Sequence, residues 1–286
     1  MALNPKFLAP EGYGLSILKN KKRTKYPGTL AIVGSGLNVF AHLTAEAESI
    51  IRNSDHVFYA PTDPVSASYI RSLNWSGESL MNFYKEGMSR RITYQKTIDA
   101  VLKKLQSPLR VCAVFYGHPG VFVYPGHKLV RLSRQLGFEA TMYPAVSAED
   151  CLFADLGMDP ALGTQSFEAT DFLIRKRHFS TRSHLILWQA GLTGEFRYRG
   201  RKANRHGLSV LRDYLLAHYT RHHMVKVYVA SFLSIWDAHV QEVRLTDLLE
   251  AEWKTYSTLV VPPIERERFD SEMIKKLKIP KSQLRA

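Results

Sequence analysis

Apolar positions recur along this chain in two periods, near two and near 3.6, and their alternation predicts most of its elements. Leu30-Ala31-Ile32-Val33 predicts a strand that stops at Gly34-Ser35-Gly36. Thr44 then caps a helix with Glu46 and Glu48 in its first turn, where the macrodipole favours acids, and Ala47, Ile50 and Ile51 supply its apolar positions. A short strand follows at His56-Val57-Phe58-Tyr59, then a polar, aromatic loop from Asn82 to Thr93. Ile98, Val101, Leu102 and Leu105 share one face of a helix over Thr93–Leu105. Val111–Tyr116 is continuously apolar, as parallel strands covered on both faces are, and Gly117-His118-Pro119-Gly120 breaks it. A helix over His127–Leu136, stopped by Gly137, and a strand over Ala140–Tyr143 complete the first half.

Ser147 and Asp150 carry capping chemistry for a helix through Leu152, Phe153 and Leu156. The alternation then repeats: strand Leu185–Trp188, helix Leu208–Ala217, strand Val225–Val229 and strand Thr258–Val261, ended by Pro262-Pro263. Strands alternating with helices predict an α/β protein with mostly parallel sheets. Pro144-Ala145 marks the boundary between an N-terminal α/β domain, 28–145, and a C-terminal one, 146–263. A basic extension, 1–27, precedes them and a charged tail, 264–286, follows.

The composition agrees with a folded enzyme-sized protein: 286 residues, 45% of them hydrophobic. No apolar run approaches the ~20 residues of a membrane helix, and Met1–Gly28 has no apolar stretch ahead of its basic run, so it is no secretory signal. Cys112 and Cys151 fall in apolar segments and read as reduced thiols of a cytoplasmic protein. The net charge of +13 raises the question of nucleic acid. Its distribution points away from that partner, because residues 1–27 hold +5 and residues 264–286 hold +3, leaving +5 for everything between. The dense run Lys19–Lys25 reads as a solvated tail or as a docking patch for an acidic partner.

Several stretches carry candidate chemistry. Gly34-Ser35-Gly36 lacks the third glycine of a dinucleotide fingerprint, since Phe40 and Ala41 stand there, and reads as a tight turn. Phe115–Phe122 lies at the carboxyl end of a buried strand, where open α/β sheets bind ligands, and its glycines and proline expose backbone groups. His118 in that loop is an acid or base by type, although a histidine in a Gly-Pro loop is more often a structural hydrogen-bonder. Tyr84 and Tyr94 flank Arg90 just before a helix, a spacing that alone also suits a surface loop with aromatic anchors. Gln189 ends a strand, and Tyr256-Ser257-Thr258 places hydroxyls beside another. His222-His223 lacks the spacing of a helical metal pair, and no Cys/His/Asp cluster suggests a metal.

Together these pieces resemble a known family. Gly28-Thr29-Leu30 leading into Val33-Gly34-Ser35-Gly36 and Leu43-Thr44 is similar to the opening of tetrapyrrole methylases. Val114–Phe122, Val146–Leu156, Phe167-Glu168-Ala169 and Asp171-Phe172-Leu173-Ile174 resemble, more closely, the borosin peptide backbone α-N-methyltransferases. The likeness runs from Gly28 to Pro263. It implies a two-domain tetrapyrrole-methylase fold with S-adenosylmethionine in the interdomain cleft, and a homodimer. By the same likeness Tyr84, Arg90, Tyr94 and Tyr116 are catalytic. Cofactor contacts fall on Tyr116, Val121, Phe122, Ser147 and Ala148 in the first stretch, and on Gln189, Ala230, Ser257 and Thr258 in the second.

Omphalotin-type relatives carry their substrate as a C-terminal extension, whereas this sequence stops 23 residues after Pro263 without an apolar core peptide. The expectation is a split, bacterial-type arrangement with a ribosomally made precursor supplied in trans. The chemistry expected is α-N-methylation of backbone amides, with a guanidinium that favours the phenolate of a neighbouring tyrosine. The alternatives are a porphyrin or corrin precursor C-methyltransferase on the same fold and a non-catalytic nucleic-acid-binding module.

Overall fold

In the computed structural model, residues 28–284 are described except Thr62, Arg201, Ser234 and 266–268. The basic extension 1–27 and parts of the charged tail lie outside the described residues.

The first half is one parallel sheet. Its strands are β1 (Thr29–Gly34), β2 (His56–Ala60), β3 (Glu78–Ser79), β4 (Arg110–Phe115) and β5 (Glu139–Met142), in the order β3-β2-β4-β1-β5. β1 runs in register with β4, from Thr29 opposite Arg110 to Gly34 opposite Phe115. Helices cover both faces, which is why β1 and β4 read as continuous apolar runs. On one face, α2 (Ala45–Asn53) and α3 (Pro64–Leu73) bury Ala47, Ile51 and Ile70 against Val33, Val57, Cys112 and Val114. On the other, α4 (Arg90–Lys104) and α5 (Tyr124–Gln135) bury Ile98, Val101, Leu129 and Leu132 against Leu30, Ile32, Val111 and Ala113. A single short turn, α1 (Val39–His42), precedes α2. Thr44 caps α2 by accepting from the Ala47 amide at 3.1 Å.

The second half departs from the parallel expectation. Its strands are β6 (Thr164–Glu168), β7 (His184–Trp188), β8 (Met224–Val229), β9 (His239–Arg244) and β10 (Thr258–Val261), in the order β6-β7-β10-β8-β9. Only β6 and β7 pair in parallel; β10 inserts antiparallel between β7 and β8, and β9 folds back antiparallel on β8. β9 is a partly exposed edge strand and β6 is mostly polar, so neither announces itself by apolar residues. One face packs on α7 (Ala169–Ile174) and α8 (Arg205–Leu216) through Phe172, Leu211, Leu215 and Leu259. The other packs Leu152 of α6 (Ala148–Leu156) against Ile186, Trp188, Tyr228 and Val260. The capping box that opens α6 is present in both directions: the Ser147 amide donates to Asp150 at 2.7 Å, and the Asp150 amide donates to Ser147 Oγ at 3.2 Å. A last short helix, α9 (Ser271–Lys276), lies in the tail. No helix among the described residues is long and apolar enough to cross a membrane.

Both cysteines are free; Cys112 sits in the core of the first sheet and Cys151 is half-buried on α6.

Phe172 is fully buried, with its ring 5.2 Å from Phe179, 5.5 Å from Tyr214 and 5.7 Å from Phe167. Truncation to Phe172→Ala therefore lowers stability by about 3–5 kcal/mol. Urea denaturation checks this: the midpoint falls with an unchanged slope.

Candidate active site

The two sheets meet at the carboxyl ends of β4 and β7. Gly34-Ser35-Gly36, after β1, lies directly against Gly117, after β4: the Gly36 amide donates to Gly117 O at 3.3 Å and the Gly117 amide returns to Gly36 O at 3.0 Å. Gly36 and Gly117 both have positive φ, and a Cβ on Gly34 would collide with the Gly117 carbonyl. The first glycine motif is thus a close backbone approach, as expected of a tight turn. It aims the chain from Tyr116 to Val123 into the space between the sheets.

Two adjoining cavities fill that space. Cavity A, about 370 Å³, contains Val121, Ser147, Ala148, Ala230 and Thr258 in its wall. Cavity B, about 350 Å³, contains Tyr84, Arg90 and Tyr94. Tyr116, Phe122, Val123, Gln189 and Tyr256 belong to both walls and form the partition. Every residue singled out for catalysis in the sequence therefore lines cavity B, and all but one of the cofactor candidates line cavity A. The exception is Ser257, which lines neither cavity. It is fully buried; its Oγ accepts from the Lys254 amide at 2.9 Å and its carbonyl accepts from the Ala190 amide at 2.9 Å. Ser257 holds the chain on which Gln189 and Thr258 stand.

The partition is strained. Phe122 has φ 56° and Gln189 φ 55°, in the left-handed region that costs a non-glycine residue roughly 1–2 kcal/mol. Such strain collects where side-chain placement matters to function. The Phe122 ring packs 5.5 Å from Trp188, so a first-half loop is anchored on the second sheet. Gln189 Oε1 is buried, with no donor among the described residues.

Cavity B is assembled by hydrogen bonds between the halves. The Gly87 amide donates to Tyr198 O at 2.8 Å, the Tyr198 amide to Met88 O at 2.9 Å and the Arg90 amide to Phe196 O at 3.1 Å. This small ladder seats the Tyr84 and Tyr198 rings edge to face at 5.7 Å and leaves Arg90 only 6% exposed. Burial pulls the Arg90 guanidinium down from its usual range, opposed by Tyr94, Glu168, Glu195 and Tyr84. Burial likewise holds Glu168 above the ordinary carboxylate range, although the Asp171 amide donates to it at 2.7 Å and Arg90 is near.

The expected phenolate is not the resting form. Burial pushes Tyr84 up to about 12, with Arg90 pulling back and Tyr198 adding to the rise. Tyr94 is raised further, by burial and then by Tyr84. Desolvation penalises a charged phenolate more than one partly desolvated guanidinium rewards it. His118 is lowered by burial, and its Nδ1 accepts from the Gly120 amide at 2.9 Å. That is the structural role favoured for a histidine in this loop, although its ring also lines cavity A.

Sequence reasoning missed several wall residues. Asp63 and Glu149 line cavity A, and Tyr198 and Arg199 line cavity B. Asp63 carries the signal of a helix cap before Pro64, but nothing local points to a ligand. Tyr198 and Arg199 reach the site only through the ladder with residues 87–90. No group of three or more metal-ligating side chains occurs among the described residues.

Residues 29–249 match the family described as Tetrapyrrole (Corrin/Porphyrin) Methylases. Among curated proteins, the chain is 37% identical over 267 residues to the methyltransferase/ribosomally synthesized cyclic peptide dendrothelin A precursor of Dendrothele bispora, a match covering 91% of this chain and 63% of that protein. It is also 37% identical over 259 residues to the corresponding omphalotin A precursor of Omphalotus olearius, covering 88% of this chain and 62% of that one. The chain thus spans less than two thirds of these relatives, in which methyltransferase and precursor are one protein. Among solved structures it resembles uroporphyrin-III-C-methyltransferase from Thermus thermophilus, with a TM-score of 0.58, 17% identity and coverage of 90% of this chain and 98% of that one. A crystal structure of diphthine synthase gives a TM-score of 0.56 at 15% identity, over 82% and 90% of the two chains. At these identities the structural likeness concerns the fold. With a parallel first sheet, a mixed second sheet, paired cavities between them and a family match over residues 29–249, this chain belongs to the tetrapyrrole (corrin/porphyrin) methylases.

Proposed function

We propose that this protein is an S-adenosylmethionine-dependent methyltransferase that acts on backbone amide nitrogens of a peptide. The observation that carries this reading is the pair of cavities behind one partition. Cavity A has the carboxylates of Asp63 and Glu149 and no Lys or Arg among its lining residues, whereas cavity B has Arg90 between two phenols. The first suits a cationic donor and the second suits an acceptor on which negative charge develops. The curated relatives, described as methyltransferases joined to cyclic-peptide precursors, support a peptide as that acceptor.

The residues of cavity A fit S-adenosylmethionine. The cavity is of ligand size, its aromatic wall of Phe122, Trp188 and Tyr228 suits a nucleoside, and the buried Gln189 Oε1 lacks a donor. Tyr116, Val121, Phe122, Ser147, Ala148, Gln189, Ala230 and Thr258 would hold it, with Ser257 supporting Gln189 and Thr258 from behind. When bound, it supplies a methyl group already activated by a sulfonium.

The protein's task is then the amide. Its nitrogen lone pair is delocalised into the carbonyl, so the N–H proton must leave as the bond to carbon forms. Arg90 faces the carbonyl oxygen and stabilises the developing imidate, an electrostatic contribution of roughly 3–4 kcal/mol in a dry site. Tyr84 takes the proton, while Tyr94 and Tyr198 orient the plane of the amide. Tyr116, on the partition, aligns acceptor and donor. The relatives carry precursor and methyltransferase in one chain, which lends no support to a precursor supplied in trans. A homodimer is the assembly proposed, with the partner closing the peptide channel.

Tyr84→Phe and Arg90→Ala each slow methyl transfer by roughly two orders of magnitude or more, with little change in cofactor affinity. Tyr116→Phe lowers both rate and affinity. Mass spectrometry that counts methyl additions, on an added apolar peptide and on the protein itself, reads the rate and shows whether the substrate arrives in trans or in cis. Equal rates for wild type, Tyr84→Phe and Arg90→Ala overturn the assignment.

The pH dependence has a definite sign. The ionised phenolate is the active base, and with Tyr84 raised to about 12 its ionised fraction grows about tenfold per pH unit through the neutral range. The rate constant for methyl transfer therefore climbs from neutral to mildly alkaline pH without a plateau, and the slope disappears in Tyr84→Phe. A plateau near neutral pH in single-turnover measurements contradicts Tyr84 as the base.

Light scattering at micromolar protein gives twice the chain mass of 32.6 kDa if the dimer forms, and 32.6 kDa if it does not.

A further inference from the structure

We infer that Asp63 is a direct acceptor for the cofactor, taking an O–H or N–H donor of S-adenosylmethionine on its buried second oxygen; this rests on cavity A being the cofactor site. Asp63 stands three residues beyond the end of β2 and caps α3, where its Oδ1 accepts from the Ser66 amide at 2.8 Å. Capping accounts for that oxygen alone. Asn and Ser cap helices about as well as Asp, and neither brings a second carboxylate oxygen into the interior. Yet Asp63 Oδ2 is buried and has no hydrogen-bond donor among the described residues, while the residue lines cavity A. A buried acceptor without a donor is destabilising, more so when it belongs to a charged group, and native proteins rarely keep one unless something else completes it.

A second observation points the same way. Gln189 Oε1, on the opposite half of the wall, is also buried without a donor. One unsatisfied acceptor from each half, on two residues that both line a cavity without Lys or Arg in its lining, calls for a ligand with two separated donors and no excess of negative charge. S-adenosylmethionine meets this description: it carries an adenine amino group, two ribose hydroxyls and an α-ammonium, and its net charge is positive. A carboxylate at this place also anchors the donor to the first sheet, as Gln189 does to the second.

The test is calorimetric titration of the full-length, cofactor-stripped protein with S-adenosylmethionine and with methylthioadenosine, which keeps the ribose and lacks the amino-acid arm. Asp63→Asn preserves the cap and replaces one acceptor oxygen by an NH₂ donor. The dissociation constant for S-adenosylmethionine rises about ten- to hundredfold, the scale of a hydrogen bond to a charged group, at an unchanged melting temperature. If affinity for methylthioadenosine falls as well, the partner is a donor of the adenosine moiety, a ribose hydroxyl or the adenine amino group; if only S-adenosylmethionine is affected, it is the ammonium. Should Asp63→Asn melt earlier, Asp63→Ser, which caps through its hydroxyl and lacks the second oxygen, takes its place. Wild-type affinity in a stable variant overturns the assignment of Asp63 while leaving cavity A as the cofactor site. Failure of the wild-type protein itself to bind S-adenosylmethionine at millimolar concentration instead removes the reading on which the assignment rests.

Discussion

Three backbone hydrogen bonds tie residues 87–90 of the first half to residues 196–198 of the second, and the shape of cavity B depends on them. Each half buries its own core, and neither alone would create a dry site. The ladder draws a loop from each half together, closes Arg90 away from water and brings Tyr84 against Tyr198. Once water is excluded, every charge in the pocket becomes more consequential. The guanidinium is partly deprived of solvation, and the phenols are held in their neutral forms. In the proposed mechanism a base that is hard to ionise is compatible with catalysis only if the charge it creates is met at once, which is the role given to Arg90.

The partition between the cavities resolves a second difficulty. In the proposed reaction a methyl donor and its acceptor must touch, yet their charge requirements are opposite. Cavity A is lined by carboxylates and cavity B by arginines, and only five residues are common to both. Two of those five, Phe122 and Gln189, are held in left-handed backbone conformations. The strain is sustained because each is fixed by the second half: Phe122 by its packing on Trp188, and the chain after Gln189 by the Ala190 amide bonded to the Ser257 carbonyl. The surrounding scaffold thus sets the position of the partition.

Much of the fold was legible from the chain because its signals are local. The strands around Ile32 and Val114 are buried on both faces and therefore read as apolar runs, and the caps at Thr44 and at Ser147 with Asp150 act over three residues. Motif resemblance supplied the expectation of a catalytic set, and its four residues do line one cavity. Ser257 shows the limit of that transfer: a hydroxyl in the right segment turned out to point into a turn, because the same atoms were needed to brace the backbone.

What the sequence by itself determined is the run of strands β1, β2, β4 and β5 with most of the helices between them, their assembly into a parallel first sheet, and a candidate set of residues for the chemistry. Each follows from periodicities and short-range bonding encoded within a few residues. What only the tertiary structure decided is the antiparallel insertion of β10, the recruitment of Asp63, Tyr198 and Arg199, and the protonation state of the site. Strand order depends on which edge a distant segment reaches, and a polar edge strand such as β9 leaves no apolar trace. Protonation turns on desolvation against charge: sequence places Arg90 near Tyr84 and Tyr94, but only their burial between the two halves outweighs the guanidinium.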